Sequence, residues 1–214
     1  MAEAALKSSG RLHASALSVA KRLMDLSLAA GLLLATAPVL ALAAAAILLS
    51  SGTPVIHRRR VVGLLGKEFD AFKLRTMVPD ADEQLARDPA LRASFERNYK
   101  LERDPRVTRI GGVLRKWSID ELPQLVNVLR GEMSLIGPRM VSPGELSKYR
   151  EVASDLLRAR PGLSGVWQVS GRQRIEYRQR VTMDIEYLRS WSLSKDIGIA
   201  LLTPWAILNA KGAK

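Results

Sequence analysis

The stretch LSLAAGLLLATAPVLALAAAAILL, Leu26 to Leu49, carries no charged side chain and decides what kind of protein this is. About 20 apolar residues cross a bilayer as a helix, so the segment is long enough to do so. A cleaved signal peptide has an apolar core of about 7–15 residues, and this one is longer. Two features set it apart from a simple spanning helix. Pro38 stands at its centre, where the missing N–H costs roughly 3 kcal/mol unless the chain bends there. Its flanks are basic on both sides: Lys21 and Arg22 precede it, and His57, Arg58, Arg59 and Arg60 follow. Lys and Arg stay on the cytoplasmic side, so symmetric flanks give a spanning helix no preferred direction. A helix that enters, breaks at Ala37-Pro38 and returns to the same face satisfies both flanks. Spanning helices also carry prolines, so that alternative stands beside it. The expected organisation is a polar leader over residues 1–20, a re-entrant membrane helix over 21–52 and a cytoplasmic domain over 53–214.

Composition narrows the chemistry. The chain has 214 residues and a formal charge of +12, which favours anionic partners: nucleic acid, phosphorylated small molecules or an acidic membrane face. With no cysteine there is no disulfide framework and no thiolate metal site. His13 and His57 are the only histidines, which argues against a histidine triad or a zinc site. Acid, base or nucleophile must then come from carboxylate, lysine, tyrosine or serine. Aromatic residues are 5% of the chain, too few for the stacking platforms that single-stranded nucleic-acid modules use.

After the apolar segment, β-prone residues on either side of Gly63 and Gly66 predict a small hairpin near the membrane. Residues 79–99 read as a charged helical region interrupted at Asp88-Pro89, with Asp80, Asp82 and Glu83 at its start. Thr108 to Trp117 is basic and amphipathic. Pro123 suits the first position of a helix running to Leu129. Gly137-Pro138, Pro143-Gly144 and Pro161-Gly162 mark turns. Glu176 to Trp191 reads as helix, and Asp196 to Asn209 as an interfacial apolar helix. The fold class expected is α+β and mainly helical, a globular domain with a small hairpin and interfacial amphipathic helices.

The chemistry concentrates in SIDELPQLVNVLRG, residues 118–131, where Asp120 and Glu121 lie among arginines 115, 130 and 139. Ser118 and Glu121 match the S-x-x-E capping box, which would make Glu121 a structural cap. A helix starting at Pro123 instead leaves both carboxylates at its positive end. Adjacent residues point in different directions, so one can act as nucleophile or base while the other holds a divalent cation. A glycosidase pair flanks a sugar with its carboxyls about 5–10 Å apart, a poor match for neighbours. Arg115, Arg139 and Lys73 match phosphate oxygens in charge and donor geometry. Mg²⁺ held by one or two carboxylates and substrate phosphates is the usual arrangement for phosphoryl transfer. The residues alone leave both capping and catalysis open.

DPRVTRIGGVLRKWSIDELPQLVNVLRGEMSLIGPR closely resembles the core of the bacterial sugar transferases, the monotopic phosphoglycosyl transferases. KEFDAFKLRTM (67–77), RPGLSGVWQVSGR (160–172) and MDIEYLRSWSLSKDIGIALL (183–202) resemble further blocks of that family, and the likeness runs from about Lys21 to the C-terminus. It is to the short form, without additional N-terminal membrane helices, as in exopolysaccharide-initiating enzymes. The resemblance implies transfer of a sugar 1-phosphate from a UDP-sugar to polyprenyl (undecaprenyl) phosphate with release of UMP. It makes Asp120 the nucleophile of a covalent phosphosugar intermediate. It places Mg²⁺ on Glu121, with Asp120 beside it, and phosphate on Arg115 and Arg139, assisted by Lys73. Pro38 corresponds to the break of the family's re-entrant helix. Gln168 and Arg172 are candidates for nucleotide recognition, with a packed Gly-rich turn as the alternative for that block.

The implied partners are the two substrates, membrane lipids and downstream glycosyltransferases, with no nucleic acid. The implied location is the cytoplasmic face of the bacterial inner membrane. Departures from the family pattern fall at Thr53, Ile56, His57, Val61 and Met140, and Arg60 is the candidate replacement for an arginine displaced by the first of them. Two other readings fit the charge and the apolar segment: a membrane lipid-phosphate phosphatase using Asp120, and a non-catalytic membrane-anchored basic binder.

Overall fold

The computed structural model describes residues 2–98, 101, 104–171 and 175–209. The chain begins with one helix, α1 (Ala2–Ser51), whose Ser18–Ser51 portion is long and apolar enough to cross a membrane. The helix continues through Pro38 with no interruption at Ala37-Pro38, and the expected polar leader is helical from Ala2. Proline removes one hydrogen bond from a long ladder, and the bonds on either side keep the helix propagating. Gly52, with φ of 74°, stops it in the left-handed conformation that suits glycine, its N–H donating to the Leu48 carbonyl.

The expected hairpin is present: β1 (Ile56–Val62) and β2 (Glu68–Leu74) pair antiparallel, from Ile56 opposite Leu74 to Val62 opposite Glu68. Side chains alternate across a strand, so His57 and Arg59 share one face with their partners Lys73 and Ala71. The charged region forms α2 (Ala81–Arg87) and α3 (Pro89–Asn98), divided at Asp88, whose carboxylate caps α3 by accepting from Leu91 N. Then come α4 (Arg109–Lys116), a 3-10 turn (Ile119–Glu121) and α5 (Gln124–Arg130). The three-residue strand β3 (Ser134–Ile136) follows, then α6 (Pro143–Leu146), a 3-10 segment (Ser147–Val152) and α7 (Ala153–Leu156). The chain closes with β4 (Gly162–Ser164), α8 (Val166–Val169), α9 (Tyr177–Arg189) and α10 (Leu193–Leu208). The architecture is mainly helical with two small sheets. The parallel pair β3–β4, Ser134 opposite Gly162 and Ile136 opposite Ser164, is additional to the expected hairpin.

The main core gathers Val61, Phe69 and Ala71 of the hairpin, Leu125 and Val128 of α5, Ile136 of β3 and Ile199 of α10. Ala29 of α1, fully buried, belongs to the same cluster. Asn127 fastens α5 to the hairpin: its Oδ1 accepts from Phe72 N at 3.0 Å and its Nδ2 donates to the Asp70 carbonyl at 2.9 Å. A side-chain amide here takes the place of a third strand against the free edge of β2.

Both flanks of the apolar segment are fixed to the body of the protein. Arg22 donates to the Val128 and Leu129 carbonyls at the end of α5. Lys21 bridges Asp25 and Asp196, each at 2.9 Å, and buried Asp25 accepts from Ser134 Oγ and Leu135 N. At the far end Ala43 and Ile47 bury against Leu74 and Leu114, and Arg75 donates to the Ser51 and Gly52 carbonyls. Between these contacts Leu32, Leu34, Val39 and Leu42 lie exposed.

Candidate active site

Three elements bring the acidic pair and its cations together. Thr108 caps α4, its Oγ1 accepting from Gly111 N. Gly111 lies so close to the Thr76 carbonyl that a Cβ there would collide with it, which seats α4 directly on the end of the hairpin. That seating lets Arg115, in the last turn of α4, donate from Nε to Thr76 Oγ1 at 2.8 Å. Ser118 then adopts φ of 56°, a left-handed conformation rare outside glycine, and turns the chain into the 3-10 turn bearing Asp120 and Glu121. Ser118 makes no cap hydrogen bond there, so the S-x-x-E capping box is not formed at this position. Pro123 leads into α5, with the carboxylates just before it as the second sequence reading required.

Asp120 is 7% exposed, whereas Glu121 is partly open and its Oε1 accepts from Lys73 Nζ at 2.6 Å. Burial, then repulsion from Glu121, raises the Asp120 pKa to about 6, opposed by Lys73 and Arg115. Burial likewise lowers the Arg115 pKa, with Asp120 the largest influence holding it up. His57 shares this basic surroundings: burial lowers its pKa, and Lys73, Arg59 and Arg115 press in the same direction against Asp82.

Arg139 anchors a second group of charges. Its backbone N–H donates to Asp184, whose other oxygen accepts from Tyr149 Oη. Its guanidinium lies 5.1 Å from the centre of the Trp167 ring, and that of Arg180 lies 5.0 Å from the same ring. Gly137, Gly162 and Gly165 make this possible, since a Cβ on any of them would strike the neighbouring backbone. The RPGLSGVWQVSGR block therefore contains the packed glycine turn that was one of its two readings. Gln168 sits beside Trp167 in α8 with its buried Oε1 unpartnered among the described residues. Arg172 lies outside the described residues.

The arginine that links the two groups is Arg59, not Arg60. Arg60 points away from this face, exposed and paired with Glu68 and Asp70. Arg59 donates to Glu145 Oε2 at 2.7 Å, and its charge is also felt by Glu121. Strand alternation was the available signal, because Arg59 shares the face of His57 and Lys73.

The family model described as "Bacterial sugar transferase" matches residues 16–210. The chain belongs to the bacterial sugar transferase family. Among its relatives is the undecaprenyl-phosphate galactose phosphotransferase of Salmonella typhimurium, 45% identical over 166 residues. That match takes in 76% of this chain and 35% of the relative. The exopolysaccharide production protein ExoY of Rhizobium meliloti is 42% identical over 199 residues, 91% of this chain and 88% of the relative. The UDP-glucose:undecaprenyl-phosphate glucose-1-phosphate transferase of Caulobacter vibrioides is 40% identical over 216 residues, 97% of this chain and 77% of the relative. The chain thus spans about a third of the length of the Salmonella typhimurium protein and most of the other two.

For a sugar transferase the donor set suits a hard divalent cation. Burial first, then the neighbouring Glu121, raises the Asp120 pKa, and a cation would relieve the repulsion between the two carboxylates. No group of three or more Asp, Glu, His or Cys suited to a metal occurs among the described residues. Mg²⁺ needs only one or two carboxylates when substrate phosphates complete its shell, so the pair fits.

Proposed function

We propose that this chain transfers a sugar 1-phosphate from a UDP-sugar to undecaprenyl phosphate, releasing UMP, as an initiating membrane step of exopolysaccharide or related glycan synthesis. The observation that carries it is the buried Asp120 beside Glu121, in reach of the charges of Lys73 and Arg115. A carboxylate with a pKa near 6 is ionised at neutral pH yet poorly solvated, a useful state for a nucleophile. Asp120 Oδ attacks the β-phosphorus of the donor. The bond from that phosphorus to the oxygen bridging to the α-phosphate breaks, and UMP leaves with that oxygen. An oxygen of undecaprenyl phosphate then attacks the phosphosugar phosphorus, and the bond to Asp120 breaks to restore the carboxylate. Lys73, Arg115 and Arg139 bind phosphate oxygens and offset the charge that develops on them. Glu121, with Asp120, would hold Mg²⁺, which supplies Lewis-acid neutralisation of the diphosphate. Galactose and glucose phosphates are the donors suggested by the relatives.

The two substrates meet one carboxylate in turn, so the kinetics are ping-pong. One substrate is dissolved and the other anchored in lipid, which requires a site at the interface. The proposed topology is re-entrant, with α1 bending at Pro38 without losing its helix, the domain of residues 53–214 on the cytoplasmic face of the inner membrane and α10 in the interface. Attachment of both flanks of the apolar segment to one body supports it, as do Leu201, Leu202, Trp205 and Leu208, exposed on α10.

A panel of UDP-sugars with undecaprenyl phosphate and Mg²⁺, read as UMP release, tests the reaction. Asp120→Asn should abolish both release and the trapped phosphosugar adduct; full release by that variant would sink the proposal, and free inorganic phosphate as product would mark a phosphatase. For topology, Ser15→Cys and Arg60→Cys should both label from the cytoplasmic side only, and opposite-side labelling restores a spanning helix.

A further inference from the structure

Glu145 is completely buried, on a short helix that neither the acidic pair nor the reaction accounts for. Burying a carboxylate is unfavourable unless cations and donors compensate it. Its Oε2 accepts from Arg59 Nη2 at 2.7 Å and from Ser142 N at 3.1 Å, closing a capping box with Ser142. Its Oε1 faces Arg139 Nη2 at 3.6 Å, too long for a hydrogen bond, and is otherwise unpartnered among the described residues. Arg139 Nε is likewise buried with no acceptor. Arg59 and Arg139 repel one another: burial lowers the Arg59 pKa, Glu145 raises it and Arg139 lowers it again. The carboxylate is what holds two like charges side by side. The Arg139 Nη2 contact, at 3.6 Å, is too long to commit that nitrogen to Glu145, and Arg59 lies close enough to Glu121 for the two charges to influence each other.

We propose that Glu145 is a positioning residue that locks Arg59 and Arg139 into one clamp for the donor's diphosphate, with Arg59 the clamp's second phosphate-binding arm. The proposal rests on the transfer reaction proposed above. The two arginines come from elements far apart in sequence, β1 and the turn after β3, so no local contact keeps them in register. A diphosphate offers oxygens on two phosphorus atoms and suits two guanidinium forks better than one.

The test separates charge from architecture. Gln at the same place still completes a capping box, so Glu145→Gln keeps the helix start and removes only the charge. In detergent-solubilised full-length protein, this variant should raise KM for UDP-glucose or UDP-galactose about tenfold and change kcat far less, the pattern of lost binding rather than lost chemistry. Inhibition by UDP should weaken by the same factor. Arg59→Gln should give a similar rise. Because Glu145 acts through Arg59 and Arg139, its effect should be smaller in the Arg59→Gln background than in the wild type, and the double variant less than multiplicative. Unchanged KM and UDP inhibition in Glu145→Gln, or multiplicative effects in the double variant, would overturn the clamp while wild-type turnover leaves the transfer reaction standing. Should Glu145→Gln not accumulate, Arg59→Gln decides alone, since its arginine is partly exposed, and an unchanged KM there also overturns the clamp. A wild-type protein that neither releases UMP nor binds UDP overturns the reaction and the clamp together.

Discussion

Lys73 Nζ lies 2.6 Å from Glu121 Oε1, joining the hairpin to the turn that bears the acidic pair. The proposed roles require these two side chains to exchange partners, Glu121 toward a cation and Lys73 toward phosphate. Glu121→Gln is therefore expected to raise the Mg²⁺ concentration at half-maximal rate and to lower kcat, with Lys73 left unpaired. Lys73→Met should lower kcat/KM by roughly 10²-fold, the scale of one lost electrostatic contact to a transition state. UMP release over an Mg²⁺ titration checks both.

The rate should follow the ionisation of Asp120. Its pKa is raised to about 6 by burial and then by Glu121, and in the proposed reaction only the carboxylate attacks. UMP release at limiting substrate should be level from pH 7 to 8 and fall toward about tenfold per pH step well below 6. A profile still level at pH 5 would exclude Asp120 as the titrating nucleophile.

Stability should run the other way. Burial raises the Asp184 pKa to about 7, against the backbone donor of Arg139 and the Tyr149 hydroxyl. Between the unfolded carboxyl value near 4 and pH 7, the folded chain holds protons that the unfolded chain has lost, so stability falls as pH rises through that window. Melting in detergent should be lower at pH 8 than at pH 5.5, and Asp184→Asn should flatten the difference, an effect on the order of 1–3 kcal/mol.

Two neighbouring glycines should behave oppositely. A Cβ on Gly111 would collide with the Thr76 carbonyl, while one on Gly112 meets nothing within 4 Å. Gly111→Ala should lift α4 and with it Arg115, costing about 1–3 kcal/mol and most of the activity. Gly112→Ala should be neutral or stabilise by up to about 1 kcal/mol, because alanine favours a helix interior. Paired melting curves and UMP assays distinguish them.

Asn127→Leu should destabilise strongly. It removes both hydrogen bonds to the edge of β2 and leaves Phe72 N–H and the Asp70 carbonyl without their partner. Two such losses amount to roughly 2–5 kcal/mol, measurable as a shift in melting.

The apolar segment, the hairpin, the division at Asp88-Pro89 and the late helices were legible because each rests on local periodicity or a local breaker. Asp120 and Glu121 were singled out by composition: two acids in a basic segment, just before a proline. The Ser118 capping box, one of the two readings left open, does not form because the backbone there turns left-handed, a conformation the side-chain pattern does not announce. The capping box that does form, Ser142 to Glu145, has the same spacing, and the Pro143-Gly144 turn signal obscured it. Choosing Arg59 over Arg60 needs the strand's facing direction, which pairing with β2 settles. The β3–β4 pair joins three-residue strands across an intervening helical region, so no sequence periodicity can reveal it.

The fastenings at Lys21, Arg22, Asp25 and Arg75 give α1 a status different from that of a tether. Deleting it would strip partners from Asp196 and from the carbonyls ending α5, and would bare Leu74 and Leu114. A truncated chain starting at Thr53 would be a broken fold rather than a freed soluble enzyme. With both ends of the apolar helix fastened to the body that carries Asp120, the distance of that carboxylate from the apolar segment is a built-in dimension of the protein.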